Sequence, residues 1–298
     1  MGCKIKKGIN IWSFPGDMSI EECMKTGKDA GFDGIELALA LKGPLSLQST
    51  DQEILKYREL SEKIGIKINS LATGLYWQYS FTSDRADIRE KAKNLLKRQL
   101  EVAALLGADC VLCCPGTVGV DFNPDDVVPD NKEIEFFTGS EVIDYDIAYE
   151  RSQQALRELA PYAEKLGVVI GVENIWGKFL LSPIEMRNFI DEINSPYVQV
   201  FLDVANMLLF GYPQHWIKIL GKRIKKVHFK DFRRGTAQLS GFVDLLAGDV
   251  DWKAVIEAFN QIGYDGWANA EMCPVYSHYP EQIVYNASKS MDRILSMK

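Results

Sequence analysis

The sequence predicts an α/β chain folded as one (β/α)8 TIM barrel, a single domain over residues 1–298. Three observations predict it. Amphipathic helical sequence ends near a glycine and a short apolar run follows, and this junction recurs five times. The runs are mostly apolar, as parallel strands covered on both faces must be. No G-x-G-x-x-G follows the first run, where a doubly wound sheet usually carries its phosphate turn.

The first strand is expected at residues 7–13, ahead of Ser13-Phe14-Pro15-Gly16. The junctions then place strands in Gly31-Phe32-Asp33-Gly34-Ile35-Glu36-Leu37, Gly65-Ile66-Lys67-Ile68-Asn69 and Gly107-Ala108-Asp109-Cys110-Val111-Leu112. Two more lie in Gly167-Val168-Val169-Ile170-Gly171-Val172-Glu173 and Gly263-Tyr264-Asp265-Gly266-Trp267-Ala268. Residues 198–203 and 225–230 complete a set of eight, at about 37 residues per unit. The longest irregular stretch, 115–143, follows the fourth strand and holds Asn123-Pro124-Asp125-Asp126 and Val128-Pro129-Asp130-Asn131. Such a loop on the catalytic end is a candidate lid or subunit contact.

Composition narrows the partners. Thirty-four basic residues against 41 acidic ones give a net charge of −7, which disfavours nucleic acid. No apolar run reaches the roughly 20 residues of a membrane span. Met1-Gly2 lacks the Ser or Thr of a myristoylation signal, having Lys6 instead, and no secretory apolar region follows. Six cysteines without a signal peptide read as reduced thiols, so the expected location is the cytoplasm. Cys110-x-x-Cys113 sits within an apolar run and reads as buried strand rather than as a zinc or redox pair.

In this fold sites are built where strands end. Polar residues terminating apolar runs there are Glu36, Glu173-Asn174, Asp203, His228 with Asp231, and Glu271. Glu173, Asp203, His228 and Glu271 fall on four successive strands, 30, 25 and 43 residues apart. Singly, such acids would pair with Lys230, Arg233 or Arg234. Converging near the barrel axis, three carboxylates repel one another unless a cation neutralises them. Oxygen-rich ligation with one imidazole suits Mn²⁺ or Mg²⁺, with Co²⁺ as an alternative.

The segments Val172-Glu173-Asn174, Leu202-Asp203-Val204-Ala205-Asn206, Val227-His228-Phe229-Lys230-Asp231 and Asn269-Ala270-Glu271-Met272 resemble the xylose-isomerase-like TIM-barrel superfamily. Within it the match is to the sugar-phosphate isomerase/epimerase group, which includes ketose 3-epimerases. The resemblance implies one divalent ion held by Glu173, Asp203, His228 and Glu271, with Glu173 and Glu271 flanking a sugar and shuttling a proton. It also implies that Arg234 contacts substrate hydroxyls. Two positions depart from the tagatose-3-epimerase-like pattern: Phe179 replaces a second substrate glutamate, and Asn206 replaces a histidine. Asp203-x-x-Asn206 is instead similar to pentulose-5-phosphate 3-epimerases, which admits a phosphorylated sugar. Three histidines and a net acidic chain argue against the histidine-rich, trinuclear-zinc endonuclease of the same superfamily.

Epimerisation beside a carbonyl removes a weakly acidic C–H proton and returns one to the other face, so opposed carboxylates and a charge-stabilising cation suit it. The same apparatus supports aldose–ketose isomerisation or elimination of water. The leading expectation is a metal-dependent epimerase or isomerase of a ketose or ketose phosphate. A lyase acting on a keto-sugar or inosose is the alternative, and a non-catalytic sugar-binding subunit a third reading. Trp12 and Trp176, each within three residues of a strand end, are the expected aromatic walls. Tyr76, Trp77, Tyr79 and Phe81 are divided between pocket and core. Glu36, Asn206, Lys230 and Arg234 complete the substrate-binding candidates. His215 is expected to be structural, His278 has no assigned role, and a homo-oligomer stays open.

Overall fold

The computed structural model describes residues 4–121, 141–273 and 275–297. The strands are β1 (Lys6–Asn10), β2 (Gly34–Ala38), β3 (Lys67–Ala72), β4 (Cys110–Cys113), β5 (Val169–Glu173), β6 (Val198–Asp203), β7 (Ile224–Phe229), β8 (Asp231–Phe232), β9 (Phe242–Val243) and β10 (Trp267–Ala270). Eight of them close a parallel barrel in the order β1-β10-β7-β6-β5-β4-β3-β2, while β8 and β9 form a small antiparallel hairpin. Outside lie α1 (Ile20–Asp29), α2 (Asp51–Ile64), α3 (Ala86–Leu106), α4 (Tyr145–Leu166), α5 (Pro183–Ile193), α6 (Pro213–Leu220), α7 (Trp252–Ile262) and α8 (Gln282–Leu295). The predicted (β/α)8 barrel is the fold observed.

The recurring junction has a backbone cause. Gly31, Gly65, Gly107, Gly167 and Gly263 all take positive φ, at 91°, 77°, 75°, 68° and 70°. That conformation ends a helix and turns the chain back to the barrel, and it clashes with a Cβ. Asn194 (φ 54°) does the same after α5, and a one-turn helix at Gly221–Arg223 precedes β7. Neither junction carries the motif that marked the other five. Helix starts are equally local: Ser19 with Glu22, and Thr50 with Glu53, form reciprocal capping boxes.

The first strand is shorter than expected. Asn10 accepts the Trp12 backbone N–H at 2.7 Å, and residues Ile11–Ser13 wind into a 3-10 turn. The side-chain cap there outcompetes the ladder. Of the expected long loop, 115–121 and 141–143 are described, tied by Val118 N to Gly177 O and Ile143 N to Val118 O. Both predicted turn signals, at 123–126 and 128–131, lie outside the described residues.

Alternation along each strand sorts residues between the barrel lumen and the helices. Asn69 and Asn269 pair their amides inside the barrel, Asn69 Nδ2 donating to Asn269 Oδ1 at 2.8 Å and Asn269 Nδ2 returning to Asn69 Oδ1 at 3.0 Å. The pair needs Gly8 beneath it: a Cβ at residue 8 would stand 1.9 Å from Asn269 Oδ1. Cys110 packs with Ala72, Leu112, Val169 and Phe201, whereas Cys113 belongs to the larger cluster shared with the helices. Positions 110 and 113 therefore face opposite sides of β4, which fits buried strand and not a chelating pair.

Candidate metal and sugar site

The site residues sit at the ends of their strands, Glu271 one residue past β10. Two residues below each, on the same face, are Gly171 under Glu173, Phe201 under Asp203, Lys226 under His228 and Asn269 under Glu271. Register aligns Asp203 with His228 across β6 and β7, and His228 with Asn269 across β7 and β10. One ligand atom from each of Glu173, Asp203, His228 and Glu271 lies within 4.8 Å of all the others, and all four residues are buried. The sequence expectation that four strand ends converge is met.

These groups hold one another in place. Asp203 Oδ1 accepts the backbone N–H groups of Ala205 and Asn206 at 2.7 and 2.9 Å, leaving Oδ2 turned inward. Asn174 bridges the strand ends, its Nδ2 donating to Asp203 O at 2.9 Å. Asn206 Nδ2 donates to Glu173 Oε1 at 3.3 Å and to Asn174 O at 3.1 Å. Beneath, His228 Nε2 lies 2.6 Å from Glu36 Oε1, which also accepts from Asn10 Nδ2 at 2.6 Å. The ring is thereby turned so that Nδ1 faces Glu271 Oε2, 2.8 Å away, and Glu173 Oε1, 3.9 Å away.

Charge is unevenly shared. Burial, with the negative charges of Glu271 and Asp203, pushes the Glu173 carboxyl up to about 8. Asp203 is raised by burial as well. Burial also opposes ionisation of Glu271, but Lys230 and His228 override it and hold that carboxyl at about 2. Burial disfavours the charged His228 ring, yet Glu271 and Glu36 keep it protonated well above the ordinary range. Lys230 Nζ sits 2.9 Å from Glu271 Oε2 and 3.5 Å from Asp203 Oδ2.

The donor set passes a test for a divalent ion. Asp203 Oδ2, His228 Nδ1 and Glu271 Oε2 are buried and make no hydrogen bond of acceptable geometry, the 2.8 Å contact between the last two included. Buried polar atoms without a hydrogen bond are rare; the single Lys230 charge beside two of these oxygens leaves room for a cation among three carboxylates. Three carboxylates and one imidazole, aimed at one point, fit Mn²⁺, Mg²⁺ or Co²⁺.

The other expected residues divide. Trp12 packs against the lumen cluster of Ala72, Cys110, Leu112, Val169 and Phe201. Trp176 donates its Nε1–H to Asn206 O at 2.9 Å and meets Phe232 and Phe242 at 5.4 and 5.2 Å between ring centroids. Arg234 lies over the Tyr212 ring at 4.8 Å, its backbone N–H held by Asp249. Glu36, fully buried, touches His228 and Asn10. Tyr76, Trp77 and Phe81 are core, with Tyr76 Oη donating to Gln99 Oε1 at 2.8 Å. Phe179 is buried among Tyr145, Tyr149 and Phe189, which suits an aromatic and would exclude a glutamate.

Asp231 leaves the group. Its oxygens accept from Phe232 N, Val250 N, Leu246 N and Trp252 Nε1, all between 2.9 and 3.1 Å. It organises the chain after β9 and has no capacity left for an ion. Sequence reasoning missed Asn10, which obeys the same strand-end rule as Glu36. It also missed Phe242, whose ring lies 5.0 Å from Lys230 Nζ. No local signal marks Phe242, because the β8–β9 hairpin carries it to the site.

A closed (β/α)8 barrel with a buried carboxylate–imidazole cluster at its C-terminal rim defines the general class. The chain belongs to the family described as xylose isomerase-like TIM barrel, which matches residues 25–294. It is 22% identical over 290 residues to a putative L-ribulose-5-phosphate 3-epimerase of Escherichia coli (strain K12), covering 89% of this chain and 87% of that one. It is 26% identical over 169 residues to an inosose dehydratase of Lacticaseibacillus casei, covering 51% and 56%. A crystal structure of D-psicose 3-epimerase in the presence of D-fructose superposes with a TM-score of 0.77 at 17% identity, covering 97% of this chain and 98% of that one. At that identity the likeness speaks for the fold.

Proposed function

We propose that this protein is a divalent-metal-dependent sugar isomerase or epimerase that moves a proton on a ketose or ketose phosphate. The observation that carries the reading is the convergence of four buried ligand atoms within 4.8 Å. Family membership and the epimerase relative support it. Glu173, Asp203, His228 and Glu271 would hold the ion, Mn²⁺ first and Mg²⁺ or Co²⁺ otherwise. Bound there, it would supply the positive charge that stabilises an enediolate.

The chain's own groups do the rest. Glu173 and Glu271 come from β5 and β10, separated in the barrel by β6 and β7, and each would present a carboxylate to one face of the sugar carbon. One takes the C–H proton and the other returns one to the opposite face. Asn206 orients Glu173, and Lys230 keeps Glu271 ionised and ready to accept a proton. Trp12 and Trp176 would pack on C–H faces and exclude water, and Arg234 would contact hydroxyls. The compartment we propose is the cytoplasm, where the five cysteines free among the described residues would stay reduced.

A lyase on the same site is the second reading, favoured by the inosose dehydratase relative. Ketoses, ketose phosphates and inososes incubated with protein and Mn²⁺ in D₂O, followed by NMR, separate them. Epimerisation exchanges one C–H for C–D at constant composition; elimination shows loss of water. Absence of both across the panel would refute the catalytic reading.

A further inference from the structure

Beside the carboxylate cluster the chain leaves a cleft of about 400 Å³, a size at which small-ligand sites are found. Met272 and Cys273, directly after Glu271, line it together with Tyr276, Ser277 and His278, and with Phe242 and Asp244. Phe242 joins the cleft to the site, since Lys230 Nζ lies 5.0 Å from its ring and 2.9 Å from Glu271 Oε2. Asp244 is held in place: it accepts from Tyr276 Oη, which in turn accepts from Asn286 Nδ2 at 3.1 Å.

We propose that this cleft is a second subsite for an uncharged, hydroxyl-rich substituent, a further sugar ring, so that the substrate is a glycosylated rather than a phosphorylated ketose. This rests on the epimerase reading and names its substrate class. An aromatic face with carboxylate and hydroxyl groups around it matches a pyranose, whose C–H faces pack on rings and whose hydroxyls donate to carboxylates. A phosphate calls for arginine, lysine or clustered backbone N–H groups. Among the described residues that line the cleft none is lysine or arginine, His278 is the single imidazole, and Asp244 adds a negative charge that repels an anion. Lys178 is paired with Asp121 at 2.6 Å.

The test compares fructose, fructose 6-phosphate and isomaltulose, in which O6 of the same ketose carries hydrogen, phosphate or glucose. Each is titrated calorimetrically into the Mn²⁺-loaded protein. Isomaltulose should bind at least about tenfold more tightly than fructose 6-phosphate, the worth of one good hydrogen bond. In Asp244→Asn and Tyr276→Phe, checked for folding by melting, the ratio of isomaltulose to fructose affinity should fall by about tenfold. Tighter binding of fructose 6-phosphate, a ratio unchanged in both folded variants, or no binding of any of the three sugars overturns the subsite. The epimerase reading is judged separately, on C–H exchange in D₂O. If the binding order holds while no sugar exchanges, the subsite stands and that reading falls.

Discussion

Glu36 Oε1 lies 2.6 Å from His228 Nε2, in a place where neither residue meets solvent. Asn10 Nδ2 donates to the same oxygen, also at 2.6 Å. The two contacts choose which imidazole nitrogen faces the acidic cluster, as carboxylate partners of metal-binding histidines do.

Glu36→Gln should therefore weaken Mn²⁺ binding by about 10–100-fold, the usual effect of removing such a partner. Calorimetric titration measures it directly. His228→Ala should abolish the rise in melting temperature that Mn²⁺ produces. His215→Ala, exposed on α6 beside Tyr212, should leave that rise intact. Wild-type affinity in Glu36→Gln would remove Glu36 from the support of the site.

Glutamine keeps an oxygen ligand but takes up no proton at neutral pH. Glu173→Gln and Glu271→Gln should thus retain metal and fold while turnover falls by at least about 10²-fold. A substrate deuterated at the reacting carbon should lose its label to water with the wild-type protein. Normal turnover by both variants, or full retention of the label, would exclude proton shuttling.

Glu173 also sets a pH dependence in metal-free protein. Its carboxyl stands near 8 in the folded chain against a reference of 4.5, so the folded state keeps a proton that the unfolded state has lost. The resulting stabilisation is complete below the unfolded value and is lost as pH rises towards 8. Melting temperatures of the metal-free protein should decline over that window, and Glu173→Gln should flatten the decline. A variant curve parallel to wild type would show that Glu173 ionises normally.

Asp231 is expected to matter for folding and not for the ion. Asp231→Ala strands four N–H donors around Val250 and Trp252, a loss of at least about 3 kcal/mol. Chemical denaturation checks it. The refolded or residual folded fraction should bind Mn²⁺ with unchanged affinity.

Much of the site is legible in the chain because both its ingredients are short-range. Alternation along a strand makes Glu173, Asp203, His228 and Glu271 the last inward residues of their runs, and five glycine junctions with three further apolar runs count the strands that bring them round. Asp231 satisfies the same strand-end rule but falls outside the four-residue set on sequence alone; what it does instead is visible only in the geometry. Its donors sit up to 21 residues downstream, in a loop whose path no local pattern encodes.

The sequence by itself determined the barrel, the order of its strands and the identity of the four converging side chains, since helix ends, turn glycines and period-two alternation are set by residues a few positions apart. The tertiary structure decided the rest. Glu36 meets His228 across 192 residues of chain, Phe242 reaches Lys230 on a hairpin with no sequence mark, and Phe179 turns into an aromatic core. Such contacts depend on how twisted strands close and helices pack around them, a property of the whole chain that no short segment carries.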